Sequence, residues 1–276
     1  MNQTYYYINN QFVKSTKAMI PFNDAGFLYG DGLFETMRFD NRRIFSLEKH
    51  LARLKKGLDI INLQFNTNAN DLSALLNEVI NKNNLNSGII RLMITRGDLS
   101  VINSQEIKPS IYISVKPFYK IPDNAVKVIY LNEQNYPIIR YTPAIKSMNY
   151  IGNMLAKKDA DNQGAYEPIF YNADDIITEC AIRNIFYIKN NQVLTPSLDL
   201  GILSGVMRET IIDVIKSMGL NCTETHIKLL DVNAMDEAFI SSTGIGLLPC
   251  NWKKWNSDFV ITNQIKKELF KRINNS

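Results

Sequence analysis

The stretch Leu33-Phe34-Glu35-Thr36-Met37-Arg38-Phe39, followed by the Asp40-Asn41 turn pair and then by Ile44-Phe45, decides the fold. Its β-rich run and turn residues read as a strand that folds back on itself. Directly afterwards Leu47, Leu51, Leu54, Leu58 and Ile61 step by four, three, four and three, which is one apolar face of a helix. Ser46 stands where a helix cap belongs. Strand, turn, strand and helix in this order predict an α+β arrangement with consecutive antiparallel strands. Working outward, Tyr5-Tyr6-Tyr7-Ile8, the Asn9-Asn10 pair and Phe12-Val13 read as a hairpin. Residues 24–32 read as a glycine-rich loop. A second helix is predicted near 71–81, and strands at 89–95 and 111–115.

The Pro-marked crossing at 117–123 is the best boundary in the chain. It divides a smaller N-terminal domain (1–118) from a larger C-terminal one (124–276), with 119–123 as linker. Beyond it the pattern predicts strands at 126–131, 168–171, 184–188 and 237–241. Helices are predicted at 150–161, with Ile151, Met154, Leu155 and the stem of Lys158 on one side, at 205–218 and, capped by Thr262, at 262–273.

Composition narrows the function. The 276 residues are 45% hydrophobic and 21% charged, and 31 basic against 27 acidic residues leave a net charge of +4. Such a mild, dispersed charge gives no footprint for nucleic acid or a membrane surface. No apolar run approaches the length of a membrane span, and the first nine residues do not read as a signal peptide. Cys180, Cys222 and Cys250 are too few and too scattered for a disulfide framework, which fits a reducing cytoplasm. The two histidines, His50 and His226, lack partners at metal-ligand spacing, so no metal is expected.

Four places carry chemistry. Ser204-Gly205-Val206-Met207-Arg208 opens a helix whose unpaired N–H groups favour an anion; read blandly, it is an ordinary cap. Ser241-Ser242-Thr243-Gly244-Ile245-Gly246 follows a strand and offers hydroxyls and N–H groups to a phosphate. Pro249 stands where a dinucleotide fingerprint needs its third glycine, so the alternative is a plain turn. Lys146, between apolar neighbours in Pro143-Ala144-Ile145-Lys146-Ser147-Met148-Asn149-Tyr150, suits amine chemistry with carbonyls, or is a surface lysine with a buried stem. Glu179 lies in an apolar segment, where a carboxylate needs a cationic partner, or is a strand-end acid.

Read together, these places resemble the class IV, fold-type IV pyridoxal-phosphate enzymes, which include branched-chain and D-amino-acid aminotransferases and aminodeoxychorismate lyases. Matching stretches are Gly26-Phe27-Leu28-Tyr29-Gly30-Asp31-Gly32-Leu33-Phe34-Glu35-Thr36, His50-Leu51-Ala52-Arg53-Leu54, Lys146-Ser147-Met148-Asn149-Tyr150, Thr178 to Asn184, Gly205-Val206-Met207-Arg208 and Ser242-Thr243-Gly244. They run nearly end to end, in the family's order.

The resemblance implies a two-domain α+β fold, with a smaller N-terminal α/β sandwich and a larger C-terminal, barrel-like domain that binds pyridoxal 5'-phosphate (PLP). It implies Lys146 as the Schiff-base lysine and acid/base. Glu179 would pair with the pyridine nitrogen, Tyr150 with the ring 3-oxygen and Arg53 with the phosphate. Val206, Met207 and Thr243, with Asn184 and Ser242, would complete the cofactor set. Substrate contacts would come from Phe34, Arg38, Arg91 and Gly244, with Tyr29 contributed across a homodimer interface; Arg183 is a further carboxylate candidate without a family match. Thr36 stands where branched-chain enzymes usually carry glycine and resembles the lyases, where a hydroxyl could relay a proton, although threonine also simply suits a strand. Residues 146–157 look more like the transaminases. After Thr95-Arg96-Gly97 the chain has Asp98-Leu99-Ser100 instead of the Arg/His pair of the D-amino-acid branch, which argues against D-amino acids. The expectation is therefore transamination of a branched-chain-like L-amino acid with a 2-oxo acid, the alternative being elimination of pyruvate from 4-amino-4-deoxychorismate.

Overall fold

The computed structural model describes residues 3–101 and 108–275. Its contacts group the chain into two compact units, Met1–Tyr119 with Ile145–Asn149, and Lys120–Ala144 with Tyr150–Ser276. The return of residues 145–149 to the first unit is not anticipated by a single division at 119–123.

In the first unit, strands β1 (Tyr5–Ile8) and β2 (Gln11–Lys14) form the hairpin. Asn9 and Asn10 both take positive φ, as a tight turn between twisted strands requires. The expected loop at 24–32 instead contains a short helix, α1 (Ala25–Tyr29). The Asp24 carboxylate caps it by accepting the N–H groups of Gly26 and Phe27, and also accepts the hydroxyls of Thr95 and Tyr112. That buried cluster joins residues 71 and 88 positions apart, so local composition did not announce it.

Strands β3 (Gly32–Asp40) and β4 (Arg43–Ile44) lead into helix α2 (Leu47–Ile60). Ser46 does precede α2, but it is left-handed (φ 49°) and its side chain makes no capping bond, contrary to expectation. Helix α3 (Ala69–Lys82) begins two residues earlier than expected, because Asn68 caps it through the N–H of Asp71. Strands β5 (Gly88–Thr95) and β6 (Ser110–Lys116) complete an antiparallel sheet of order β2-β1-β6-β5-β3-β4.

Side-chain alternation gives this sheet two different faces. Leu33, Met37, Phe39, Ile90, Leu92, Ile94, Ile111 and Ile113 pack on the Leu51-Leu54-Leu58 stripe of α2 and on Leu72, Leu76, Val79 and Ile80 of α3. Each such fully buried aliphatic side chain contributes about 1.5–3 kcal/mol. The opposite face carries Phe34, Thr36 and Arg38 from β3, with Arg91 of β5 and Ser114 of β6 in register with Thr36.

The second unit begins with β7 (Val126–Asn132), helix α4 (Ile151–Asn162) and β8 (Glu167–Tyr171). Then come β9 (Ile177–Cys180), β10 (Asn184–Lys189), β11 (Gln192–Pro196), helix α5 (Val206–Ser217) and β12 (Cys222–Thr225). Strands β13 (Glu237–Ser242) and β14 (Gly246–Asn251) and helix α6 (Val260–Asn275) end it. The sheet order is β12-β11-β10-β13-β14-β7-β8-β9, with parallel pairs β11–β12, β14–β7 and β7–β8. It curls, so that β9 returns beside β10 and β11.

The sequence pattern overlooks β9, β11, β12 and β14, whose short runs show no decisive period. Helix α4, close to its expected bounds, turns its small residues Gly152, Ala156 and Ala160 inward, while Ile151, Met154 and Leu155 are 64%, 52% and 43% exposed. Thr262 does not cap α6: it lies inside the first turn, where Glu237 accepts the N–H groups of Ile261 and Thr262. All three cysteines are free. Among the described residues no helix is long and apolar enough to cross a membrane, and no cluster of His, Cys, Asp and Glu is suited to a metal ion.

Candidate active site

Lys146 sits in a segment laid along the first half of β3. Phe34 N–H donates to the Lys146 carbonyl at 3.0 Å, and Met148 N–H donates to the Gly32 carbonyl at 3.0 Å. A Cβ on Gly32 would come within 2.7 Å of the Met148 sulfur and of the Ile94 carbonyl oxygen, so only glycine admits this approach. Ser147 Oγ accepts the backbone and side-chain N–H of Asn149, and Asn149 Nδ2 also reaches the Gly30 carbonyl. The Lys-Ser-Met-Asn and Gly-Asp-Gly motifs therefore act together as a clasp. Alternation inside the clasp sends Ile145 to the apolar core and Lys146 to the opposite face. There the Lys146 Nζ lies 4.5 Å from the Phe34 ring centroid.

That face gathers four of the sequence candidates. The Arg91 guanidinium lies 4.9 Å from the same Phe34 ring, and the Arg38 guanidinium lies 5.0 Å from the Phe118 ring. Burial lowers the Arg38 pKa, and nearby Asp40 opposes the shift. Thr36 Oγ1 and Arg38 Nε are both buried and have no hydrogen-bond partner among the described residues. Polar atoms so placed cost stability unless a ligand meets them. Tyr29 is elsewhere, on α1, and is 69% exposed.

On the core side of β3, Glu35 is fully buried. It accepts Arg53 Nε at 2.8 Å and Nη2 at 2.6 Å, and His50 Nδ1 lies 2.7 Å away. Burial pushes the Glu35 pKa up, but Arg53 and His50 outweigh it and hold the group at about 2. Burial also pushes His50 below its ordinary value, so it is neutral and its Nδ1–H donates. Arg53 thus reaches its place already oriented by Glu35, a pairing the sequence reading missed. The three-residue step from His50 to Arg53 on one helix face was its available signal.

The second unit brings together the phosphate candidates. Helix α5 starts after Gly205 without a side-chain cap. The Ser204 hydroxyl turns to Glu209 instead. A Cβ on Gly205 would lie 2.2 Å from Asn184 Oδ1, so the close approach of loop and strand demands glycine. Asn184 Nδ2 holds the loop through the Leu203 carbonyl at 3.0 Å. Asn184 is also in register with Ser241 on β13, which places Ser242, Thr243 and Gly244 just beyond. Ser241 Oγ is buried without a hydrogen-bond partner among the described residues. The two loops that the sequence offered separately are therefore neighbours around Asn184, beside the N–H groups of Val206 and Met207.

Glu179, on β9, is held at both oxygens. Arg140 Nη1 donates to Oε1, and Leu203 N–H donates to Oε2 at 3.2 Å. Arg140 is a second residue the sequence reading missed, since nothing local marks it. Arg183, by contrast, is tied to the fully buried Glu167 and stacks on Tyr166 at 4.7 Å, which gives it a structural partner in place of a substrate. Tyr150 stands at the start of α4.

Residues 32–251 match the family model described as amino-transferase class IV. The chain belongs to that family. It is 32% identical over 252 residues to a D-alanine aminotransferase of Listeria monocytogenes, covering 88% of this chain and 85% of that one. It is 30% identical over 246 residues to a putative branched-chain-amino-acid aminotransferase of Methanocaldococcus jannaschii, at 88% and 85% coverage. An aminodeoxychorismate lyase of Bacillus subtilis is 30% identical over 254 residues, at 88% and 84%. The branched-chain aminotransferase of Escherichia coli has the same fold, with a TM-score of 0.89 over 98% of this chain and 95% of that one, at 22% identity.

This class IV aminotransferase family protein is accordingly a PLP-dependent enzyme that acts on small amino and keto acids. The donor set fits the cofactor. A helix N-terminus without a side-chain cap and the buried Ser241 hydroxyl suit a phosphate. A lysine amine on a polar sheet face suits an aldehyde, and a carboxylate fixed at both oxygens suits a protonated ring nitrogen.

Proposed function

We propose that the enzyme transfers the amino group of a branched-chain-like L-amino acid to a 2-oxo acid, with Lys146 as the amine that carries the cofactor. The observation that carries this reading is the shared sheet face: the clasp on β3 sets the Lys146 amine over Phe34, on the face that also carries Thr36, Arg38 and Arg91. When bound, PLP supplies an aldehyde for the substrate amine and a ring that accepts the electron pair left at Cα. The protein supplies the rest. Arg38 and Arg91 hold the substrate carboxylate, and Phe34 gives its side chain an apolar wall. Lys146, once its amine is free, would take the proton from the substrate Cα and return it two atoms along, at the carbon that PLP brings as its aldehyde. Glu179 supports a protonated ring nitrogen, Tyr150 the 3-oxygen, and Arg53, Asn184, Val206, Met207, Ser242 and Thr243 the phosphate. Gly244 leaves room for substrate.

Thr36 favours a second reading. Its buried, unpartnered hydroxyl is suited to passing a proton during elimination of pyruvate from 4-amino-4-deoxychorismate. The D-alanine aminotransferase similarity adds a third arm to the test, although Asp98 follows Gly97 here and brings an acid where a substrate carboxylate would need a base. Purified enzyme is assayed with L-leucine or D-alanine plus 2-oxoglutarate, and separately with aminodeoxychorismate, read as pyruvate and 4-aminobenzoate. Turnover of L-leucine alone is the expected result; 4-aminobenzoate without transamination would establish the lyase. Thr36→Gly should spare transamination and abolish any lyase activity.

A homodimer completes the proposal. Met19, Ile20, Phe22, Phe27 and Tyr29 are 80%, 55%, 75%, 62% and 69% exposed within eleven residues, an apolar surface suited to a second copy. Free cysteines fit a reducing cytoplasm.

A further inference from the structure

The guanidinium of Arg140 is divided between two carboxylates. Nε and Nη2 donate to Glu133 Oε2 at 3.2 and 2.6 Å, and Nη1 donates to Glu179 Oε1. Nη2 also meets Thr178 Oγ1 at 3.1 Å, and that hydroxyl donates to Glu133 at 3.0 Å. The side chains of Arg140, Glu133 and Glu179 are only 20%, 16% and 14% exposed.

A guanidinium is planar and rigid, so fixing one edge fixes the direction of the remaining nitrogen. Glu133 and Thr178 grip one edge, which leaves Nη1 with a single aim. Lysine, a point charge on a flexible stem, cannot reproduce that geometry. Glu179 is then held from two sides, by Arg140 at Oε1 and by the Leu203 N–H at Oε2. Glu133 starts a short turn after β7, Arg140 lies on the extended segment that follows, and Glu179 is on β9. Three separate pieces of chain thus converge on one carboxylate. A structural ion pair needs only one acid; here the second acid spends the other edge of the arginine on direction.

We propose that Arg140 is a positioning residue, oriented by Glu133 and Thr178, that fixes the Glu179 carboxylate for the pyridine nitrogen of the cofactor. It touches neither substrate nor cofactor and acts through Glu179. The proposal rests on the reading of Glu179 given above, and its test separates the two.

The full-length protein, stripped of cofactor, is titrated with PLP and with 1-deaza-PLP, in which a C–H replaces the ring nitrogen. The ratio of the two dissociation constants reads the contact to that nitrogen alone. The wild type prefers PLP. Glu179→Gln should abolish most of that preference. Arg140→Met should reduce it about tenfold, Arg140→Lys should reduce it by less, and Arg140→Met in the Glu179→Gln background should reduce it no further. Equal weakening of both ligands by Arg140→Met would make the arginine a mere scaffold and overturn the proposal. An undiminished preference in Glu179→Gln would instead overturn the reading of Glu179, and the proposal with it. If Arg140→Met does not fold, Arg140→Lys decides: a wild-type ratio in that variant overturns the proposal.

Discussion

At the scale of single residues, Lys146 matters because its neighbours leave it one direction. Backbone bonds to Phe34 and Gly32 hold the segment, and the amine is set over an aromatic ring. Lys146→Ala should therefore bind PLP without the visible absorption of the wild-type complex and lose activity to background; an unchanged spectrum would refute the assignment. Glu35 is the opposite case, a charge spent on structure. Replacing one partner of a buried pair leaves the other uncompensated, so Glu35→Gln should destabilise the protein by about 3 kcal/mol, read as a shift in denaturant midpoint. The pH dependence follows from the same cluster. Glu35 is held near 2 in the folded chain against an ordinary 4.5, so its contribution is full above pH 4.5 and is lost as pH falls toward 2. His50, depressed by burial, contributes fully above its ordinary 6.5 and less as pH falls below it. Both effects predict weakening in acid, and Glu35→Gln should flatten the part below pH 4.5 in urea titrations.

At the scale of elements, the working pieces are ends rather than middles. Helix α5 presents its uncapped N-terminus where β10 and β13 bring Asn184 and Ser241 into register. Gly205→Ala would drive a methyl into Asn184 Oδ1, 2.2 Å away, and push helix and strand apart. PLP affinity should fall about tenfold, and stability by about 1–3 kcal/mol; cofactor titration and thermal melting measure the two. Retained affinity with a stable fold would argue that the α5 N-terminus is not part of the phosphate cup. Elements were legible in proportion to their period. The 4-3-4-3 stripe of α2 and the long run of β3 announce themselves. Helix α4 lies where its pattern put it, but which face packs was not legible: its large apolar residues face outward while glycine and alanine pack inward. The α6 start misled because its cap comes from Glu237, 24 residues upstream of Ile261.

At the scale of the whole molecule, the exposed apolar run at 19–29 predicts a second copy. Sizing by light scattering at micromolar concentration should give about twice the mass of one chain, and Phe22→Ser with Phe27→Ser should shift it toward monomer. A wild-type monomer would remove the place proposed for Tyr29. The sequence by itself determined the family of this protein. Lys146, Glu179, Arg53 and the two small-residue loops are identities, and the order of their motifs along the chain is enough to assign it. It also determined the elements whose side chains repeat with a period, because periodicity is local. Only the tertiary structure decided which atoms meet. It returned residues 145–149 to β3, gave Arg183 to Glu167, paired Arg53 with Glu35 and aimed Arg140 at Glu179. These pairings join positions from 16 to more than 100 apart through the path of the backbone. No local pattern encodes such a path, because it follows from how the sheet of each unit buries its apolar face and brings distant side chains of that unit within a hydrogen bond of one another.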